Sequence, residues 1–243
     1  MPFTLAHPAI VLPLQYLPKK WISTTALIVG SVMPDFEAFI RMYGEKSLTH
    51  SWLGFFCFGL PAGLLITFLF HNIIRDPLIS NLPSFFRRRF SPFINFNWNK
   101  RFISSWMVII LSMVIGGASH FFWDSFSHFD GWFINIFPQL KGNIYFSGRE
   151  LEIPFLIQYI NTLIGVVVII IFILKLPCAK KERSEGNFIK FWLLVIVAAI
   201  VIFIPRIVYM PHNILDDLLI AIISSLLYSV TLASIVFKKK LAL

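Results

Sequence analysis

The sequence predicts an all-α, polytopic membrane helical bundle with five long transmembrane helices and a short N-terminal helical hairpin. Of its 243 residues, 57% are hydrophobic and only 14% are charged, and the mean hydropathy is +0.78. This balance lies far outside that of soluble globular domains. Five apolar segments reach roughly 20 residues, the length that a helix needs to cross a hydrocarbon core about 30 Å thick. We expect one membrane domain that includes residues 1–243.

Polar and basic segments separate the five predicted spans. The connections near residues 75–101 and 175–190 carry prolines and runs of Lys and Arg, which are typical of loops at a membrane surface. The spans themselves are predicted at residues 52–74, 102–123, 153–175, 188–210 and 214–237.

The N-terminal region predicts two shorter helices. The segments "TLAHPAIVLPLQYL" and "WISTTALIVGSVM" are apolar, and "PKK" lies between them. At about 1.5 Å per residue each helix is roughly 20 Å long, so the hairpin either crosses a thinned bilayer or enters it without spanning. The hairpin lacks the basic n-region and the cleavage site of a signal peptide, so we expect it to be retained.

Positive charge predicts the orientation in the membrane. If the N-terminus lies outside and each span crosses once, most of the 21 Lys and Arg residues fall on the inner side. This distribution satisfies the positive-inside rule. It also accounts for the formal net charge of +9 without nucleic acid, so we expect the lipid bilayer, and no nucleic acid, as partner. The sequence leaves the oligomeric state open.

Three metal-competent side chains end the second long apolar segment. In "GGASHFFWDSFSH", His120, Asp124 and His128 are spaced by four residues, which places them on one face of a helix. Imidazole and carboxylate groups at this spacing bind one ion or two neighbouring ions. The alternative interpretation is an interfacial belt, in which polar and aromatic side chains gather at the headgroup level without a metal.

The predicted topology places three further metal-competent residues at the same outer level. They are His7, Asp35 and His50. Neutral imidazole and carboxylate suit a divalent metal, zinc first and otherwise manganese or iron. Six ligands exceed the need of one ion if water also binds, so we favour two ions and keep one as the alternative. A two-ion site would activate a water for phosphoester hydrolysis.

Five motifs resemble those of a known family. "MPFTLAHPA", "GSVMPDF", "LTHSW", "GGASHFFWDSFSH" and "IQYINTLIGV" look like the motifs of an uncharacterised bacterial integral-membrane family, a domain of unknown function with an MPFT-x-x-HP N-terminus. The resemblance runs from residue 1 to about residue 170. It implies a multi-pass protein of the bacterial cytoplasmic (inner) membrane, and the predicted orientation then puts the metal site on the extracytoplasmic side.

That family is similar, more distantly, to inner-membrane metal-dependent hydrolases and to the zinc-dependent phospholipase C group. The likeness lies in the order His, Asp, His and then His-x-x-x-Asp, and His128 is added by its spacing alone. A later His-x-x-x-Glu pair of the phospholipases is replaced here by His212 and Asp216, so one or two ions are implied rather than three. The resemblance implies that the ligand positions are His7, Asp35, His50, His120 and Asp124.

These observations predict a metal-dependent hydrolase, phosphoesterase or phospholipase C-like, that acts on a phosphoester or a lipid head group. A water activated by the metal is the expected nucleophile, and no catalytic side chain is assigned. The absence of a G-x-S-x-G motif from the sequence argues against a serine hydrolase. The alternative is a non-enzymatic scaffold or transport component with a structural metal or none. Polar midplane residues, which a transporter needs, are rare in the last two spans.

Small hydroxyl side chains flank the predicted ligands. They either hold the ligand side chains in place or bond to nearby backbone, which is the commoner arrangement. These residues are Thr49, Ser51, Ser119, Ser125 and Ser127.

Overall fold

The structure of the protein is a computed structural model that describes residues 4–44, 48–129, 131–146, 148–179, 186–209 and 214–241. The chain is almost entirely helical, which confirms the all-α fold class. Within these residues, five helices are long and apolar enough to cross a membrane. The protein is therefore a multi-pass membrane protein.

The N-terminal region consists of short helical pieces. Its α-helices are α1 (Pro8–Val11), α2 (Thr24–Val32) and α3 (Phe36–Arg41). Short 3-10 turns surround them at Thr4–Ala6, Leu12–Tyr16, Met33–Asp35 and Leu48–His50. Proline at the start of α1 and of the Leu12–Tyr16 turn suits such beginnings, because the first N–H groups of a helix have no partner within it.

The remaining elements include the five long helices. In chain order they are α4 (Trp52–Ser80), α5 (Ser84–Phe90), α6 (Trp98–Asp124), α7 (Trp132–Ile136), β1 (Asn143–Phe146), β2 (Arg149–Glu152), α8 (Ile153–Lys175), α9 (Phe188–Val208) and α10 (Ile214–Leu241). Short 3-10 turns at Ser91–Phe93 and Pro138–Lys141 complete the list.

The five helices that are long and apolar enough to cross a membrane overlap the five predicted segments, and the first two begin or end beyond the predicted bounds. Helix α4 continues past the apolar stretch to Ser80, and α6 begins at Trp98 rather than 102 and is kinked at Ser105, where the backbone is not helical. Hydropathy marks only the apolar part of a helix, whereas backbone hydrogen bonding continues into polar residues until a stop or a cap. The cap of α6 is Asn97, whose Oδ1 accepts a hydrogen bond from the Lys100 N–H at 2.9 Å.

Two compact units make up the chain. The first unit comprises Met1–Pro34, Ser51–Gly63 and Ser105–Leu174, and the second unit comprises Asp35–His50, Leu64–Ser104 and Lys175–Leu243. The expected single membrane domain over residues 1–243 stays a prediction.

In the first unit, α2 packs against α6 with almost no side chain between the two backbones. A Cβ atom added to Gly30 would collide with the Met113 carbonyl oxygen, and one added to Gly116 would collide with the Leu27 carbonyl oxygen. Helices inside membranes associate closely through such small residues. Next to this contact, the Ser112 hydroxyl accepts a hydrogen bond from the Ser23 N–H at 2.9 Å, at the start of α2.

The second unit is built on the packing of α9 against α10. Phe191 and Val195 of α9 are buried against Ala233 and Phe237 of α10. Polar contacts attach the segment after α3 to these helices. Gly44 N–H donates to Asp217 Oδ1 at 2.7 Å, the Arg206 Nε–H donates to the Met42 carbonyl at 3.1 Å, and the Tyr228 hydroxyl donates to the Ile40 carbonyl at 3.0 Å.

A two-stranded antiparallel sheet, which the sequence analysis did not predict, lies between α7 and α8. Strand β1 pairs with β2 so that Asn143 faces Glu152 and Tyr145 faces Glu150. Glu150 Oε1 accepts hydrogen bonds from Asn143 Nδ2 at 2.6 Å and from the Tyr145 hydroxyl at 3.0 Å. The hairpin belongs to the first unit.

The close approach of α2 and α6 predicts the effect of Gly116→Ala. The new methyl group meets backbone atoms that cannot rotate away, so we expect a loss of about 1–3 kcal/mol, measured as a fall of several degrees in the melting temperature in detergent. Gly59→Ala is the matched control, since its Cβ would first meet a Phe55 side-chain carbon at 3.4 Å. An equal effect of both substitutions would contradict the predicted backbone contact.

Candidate metal centre

Four of the six predicted ligands come together in the first unit. His120 and Asp124 lie one turn apart in the last part of α6, and His128 follows in the turn after the helix. Two backbone bonds to the Asp124 carbonyl, from the N–H groups of Ser127 at 3.0 Å and His128 at 3.1 Å, continue the helical path. The i, i+4 spacing therefore keeps these side chains on one face, as the sequence predicts.

His7 reaches the same group from the N-terminal turn. Ala6, the residue before it, lies so close to Gly165 of α8 that a Cβ added to the glycine would come within 2.7 Å of the Ala6 Cβ. This contact fixes the chain next to His7. The His7 ring then stacks on the His120 ring, with the centroids 4.0 Å apart and the planes at 19°.

The Asp124 carboxylate is the centre of the group. Its Oδ1 lies 3.5 Å from His7 Nε2. Its Oδ2 lies 3.2 Å from His120 Nε2 and 3.4 Å from His128 Nε2. Three imidazole nitrogens thus converge on one carboxylate, with both carboxylate oxygens in use.

Burial differs sharply within the group. His7, His120 and Asp124 are 1%, 0% and 4% exposed, whereas the His128 side chain is 30% exposed. The group is therefore closed on one side and meets its surroundings at His128. Structural metal sites are usually closed, and catalytic sites keep one position open.

A backbone carbonyl determines which nitrogen of His120 carries a proton. The Nδ1 atom lies 2.8 Å from the Ser31 carbonyl oxygen at the end of α2. A carbonyl oxygen only accepts hydrogen bonds, so Nδ1 is the protonated nitrogen and donates. In the neutral ring, Nε2 then presents its lone pair toward Asp124. Metal-binding histidines are usually held in this way, through a hydrogen bond from the nitrogen that does not bind the metal.

The distances around Asp124 fit a bound metal ion. With zinc bonds of about 2.0–2.1 Å to nitrogen and about 2.0–2.2 Å to oxygen, two ligand atoms on a tetrahedral ion lie about 3.3–3.5 Å apart. The three nitrogen–oxygen distances to Asp124 lie between 3.2 and 3.5 Å. Direct N–H···O hydrogen bonds are usually about 2.9–3.0 Å long. The observed nitrogen–oxygen distances are therefore closer to the distance between two ligands of one ion than to the length of a direct hydrogen bond.

Charge also fits a cation at this position. A buried carboxylate is costly unless an opposite charge or several hydrogen bonds compensate it. Neutral imidazoles bring no charge, and their unprotonated nitrogens repel carboxylate oxygens. A divalent ion between His120 Nε2 and Asp124 Oδ2 would satisfy both groups. Because the two oxygens of Asp124 face different histidines, the carboxylate suits either one ion or a bridge between two.

The other two predicted ligands form a pair in the second unit. Asp35 Oδ1 lies 3.8 Å from His50 Nε2. Asp35 is buried at the start of α3, and the His50 side chain is 32% exposed at the end of the Leu48–His50 turn. The first unit therefore holds four of the six predicted residues, and the second unit holds the other two. That all six belong to one centre stays a prediction.

Glu37 holds the Asp35–His50 pair in place. The buried Glu37 carboxylate accepts a hydrogen bond from the Thr49 N–H at 3.3 Å and forms an ion pair with Arg41, one turn later in α3. Glu37 thus connects α3 to the turn that carries His50. The sequence analysis gave no supporting role to Glu37 or to the Ser31 carbonyl, because such contacts depend on tertiary packing.

Three of the five flanking hydroxyls bond to backbone groups three residues away. The hydroxyls of Ser119 and Ser125 donate to the Gly116 and Phe122 carbonyls, both at 2.6 Å. Ser51 caps α4 by accepting from the Gly54 N–H at 3.1 Å. His212, the first residue of the His212–Asp216 pair that replaces the phospholipase His-x-x-x-Glu pair, lies outside the described residues.

The chain belongs to the domain of unknown function family DUF4184, whose family model matches residues 1–236. The sequence resemblance to an uncharacterised family is thus confirmed, and the match extends beyond residue 170 to include the last two spans. No curated protein and no solved structure matches the chain.

The contacts of Glu37 predict the effect of Glu37→Ala. This substitution leaves the Thr49 N–H and the Arg41 guanidinium without their carboxylate, so we expect a loss of about 1–3 kcal/mol and a lower melting temperature in detergent. Lys190→Ala is the control, because the Lys190 side chain is exposed and its loss should change stability by less than about 0.5 kcal/mol. A melting temperature that does not change in Glu37→Ala would exclude the proposed connection.

Proposed function

We propose that this member of the DUF4184 family is a membrane-embedded, metal-dependent hydrolase that acts on a phosphoester, including one in a lipid head group. The observation that carries the proposal is the convergence of His7, His120 and His128 on Asp124 at 3.2–3.5 Å. The proposed cofactor is one or two divalent ions, zinc first and otherwise manganese or iron.

Each of the four side chains has a separate part in this proposal. His120 and Asp124 are the buried ligands, and the Ser31 carbonyl keeps His120 in the tautomer that binds a metal. His7 lies against His120 and closes the site from the opposite side. His128 is the ligand at the exposed edge, where a substrate has access. A bound divalent ion would lower the pKa of a water and polarise a phosphoryl oxygen.

The motif order supports a hydrolase rather than another use of metal. His7, Asp35, His50 and then the His120–Asp124 pair follow the order of the metal-dependent hydrolases that the chain resembles. Motif order and fold do not determine an activity, so the site has to be tested directly. We also propose that the membrane is a bacterial cytoplasmic membrane and that the site faces outward, because Lys and Arg are concentrated in the connections on the other side.

A structural metal in a non-enzymatic scaffold is the alternative, and the burial of His7, His120 and Asp124 favours it. The open edge at His128 favours catalysis instead. Metal content alone cannot distinguish the two functions, because both need the ion. Turnover by the metal-loaded protein does distinguish them.

Metal content is the first prediction of the proposal. Protein purified in detergent without chelating resin should contain about one or two equivalents of a divalent metal, measured by mass spectrometry. His120→Ala and Asp124→Ala should each lower this content by at least about tenfold. The loss of a residue that only hydrogen-bonds to a metal ligand already lowers metal affinity by about that factor. Ser125→Ala is the control, since its hydroxyl bonds to the Phe122 carbonyl. A folded wild-type protein that binds no metal even after incubation with zinc would exclude the site.

The same measurement on Asp35→Ala and His50→Ala tests the six-ligand prediction. Metal loss in these variants would extend the ligand set to the second unit. Unchanged metal content would limit the set to His7, His120, Asp124 and His128.

Hydrolysis is the second prediction of the proposal. Metal-loaded wild type should release nitrophenol from bis(4-nitrophenyl) phosphate or a phosphorylated head group from phosphatidylglycerol in mixed micelles. Asp124→Ala should lower the rate by at least about a hundredfold, because the loss of a metal ligand removes the activated water. Ser125→Ala should retain the wild-type rate. Full metal content with no turnover of either probe would favour the scaffold.

A further inference from the structure

The segment between α4 and α6 has features that the metal site does not explain. We call residues 81–101 the basic connector; it contains α5, the turn Ser91–Phe93 and the first turn of α6. All of it belongs to the second unit, whereas His120, Asp124 and His128 belong to the first. An inference about the connector is therefore independent of the proposed hydrolase.

The basic connector is held at a membrane surface by the helices on both sides. Helix α4 ends at Ser80 and α6 begins at Trp98, and both helices are long and apolar enough to span. Two antiparallel neighbours that each cross the bilayer bring their joined ends to the same surface. The 17 residues from 81 to 97 therefore lie at the boundary between lipid and water.

Tertiary contacts fix the backbone of the connector. Trp192 Nε1–H donates to the Asn81 carbonyl at 2.7 Å, and the Ala179 N–H donates to the Arg88 carbonyl at 2.9 Å. Arg75 Nη1, in the last turns of α4, donates to the Phe96 carbonyl at 2.7 Å. The connector is thus a preformed surface, and ordering it on binding costs little.

Phenylalanine side chains are exposed along this surface. Phe85, Phe86, Phe93 and Phe96 are between 38% and 47% exposed. Exposed aromatic rings at this density are unusual on a surface that faces only water. At the headgroup level they insert beside the lipid chains, which anchors the connector in the interface.

Positive charge accompanies the rings, and negative charge is absent from the sequence around them. Arg88 and Lys100 are exposed, and the Arg89 guanidinium lies 4.0 Å from the centre of the Phe85 ring. The sequence contains no Asp or Glu between Asp76 and Asp124. The charged side chains of the connector itself are therefore all positive, and they attract anionic groups such as the lipid phosphates of a membrane surface.

We propose that the basic connector is a binding site for the head groups of anionic phospholipids. The phosphate groups lie against Arg88, Arg89 and Lys100, and the acyl chains lie beside the four exposed phenylalanines. The positive charge of the connector favours anionic over zwitterionic lipids, and the aromatic rings determine how deeply the connector lies in the membrane. Bound lipid stabilises the second unit, because it adds contacts that only the folded connector offers.

The test compares two lipids on the full chain in mild detergent with a metal chelator, which prevents turnover of phosphatidylglycerol at the proposed metal site. Phosphatidylglycerol and phosphatidylcholine of the same acyl chains are added separately, and bound lipids and melting temperature are measured by native mass spectrometry and thermal unfolding. We expect phosphatidylglycerol to reach half-saturation at a concentration at least roughly tenfold lower than phosphatidylcholine does. Each nearby basic residue raises the affinity for an anionic lipid about fivefold. Raising the salt concentration to about 0.5 M should remove most of this preference.

Arg88→Gln combined with Lys100→Gln should lower the phosphatidylglycerol preference by at least about tenfold. Arg88→Lys, which keeps the charge, and Lys141→Gln, which removes a charge from the segment between α7 and β1, should keep it. Equal affinity for the two lipids would overturn the proposal. A full preference in the folded double variant, or equal stabilisation by inorganic phosphate, would do so as well. The salt effect on wild type tests the charge requirement even if the double variant fails to fold.

Discussion

The first unit depends on the close contact between the backbones of α2 and α6. Gly30 and Gly116 allow the two helices to approach until each glycine lies against a carbonyl group of the other helix. This approach brings the Ser31 carbonyl, one residue after Gly30, within hydrogen-bond distance of His120. The tautomer of His120, and hence its ability to bind a metal through Nε2, follows from a packing contact at Gly116, four residues earlier in α6. A side chain at either glycine would separate α2 from α6 and remove the acceptor.

A buried carboxylate at the end of an apolar helix needs compensation, and Asp124 has three imidazoles for this purpose. Protonated histidines would compensate the charge, but each additional proton would bring more charge into a closed space. The proposed divalent ion would compensate the carboxylate with the rings neutral, and it would fit nitrogen–oxygen distances that are longer than usual hydrogen bonds.

The sequence predicts the features that depend on local periodicity. Apolar length identified all five spans, and the i, i+4 rule placed His120, Asp124 and His128 on one face. The polar ends of α4 and α6 were missed, because helical hydrogen bonding continues where hydropathy stops. The supporting roles of Ser31 and Glu37 could not be predicted. Every residue has a backbone carbonyl, so the sequence does not show which one bonds His120. The sequence also does not show that Glu37, near Arg41, accepts a hydrogen bond from Thr49. The hairpin β1–β2 has only four residues in each strand, too few for a clear alternation of side chains.

Polar contacts at helix ends add to the packing of the helices and help to position the proposed metal ligands. In the most apolar stretches of α8 and α9 only 11% of the residues are buried, so most of their side chains face outward. Lipid solvates such side chains as well as protein does, which leaves little hydrophobic force to align the helices. Directional bonds have to supply the alignment, as Asp217 and Arg206 do in the second unit and Ser31 does in the first. Polar groups that are needed at the ends for alignment are also available there for ligands. The proposed metal ligands and the basic connector therefore both occur where membrane helices end, each within its own unit.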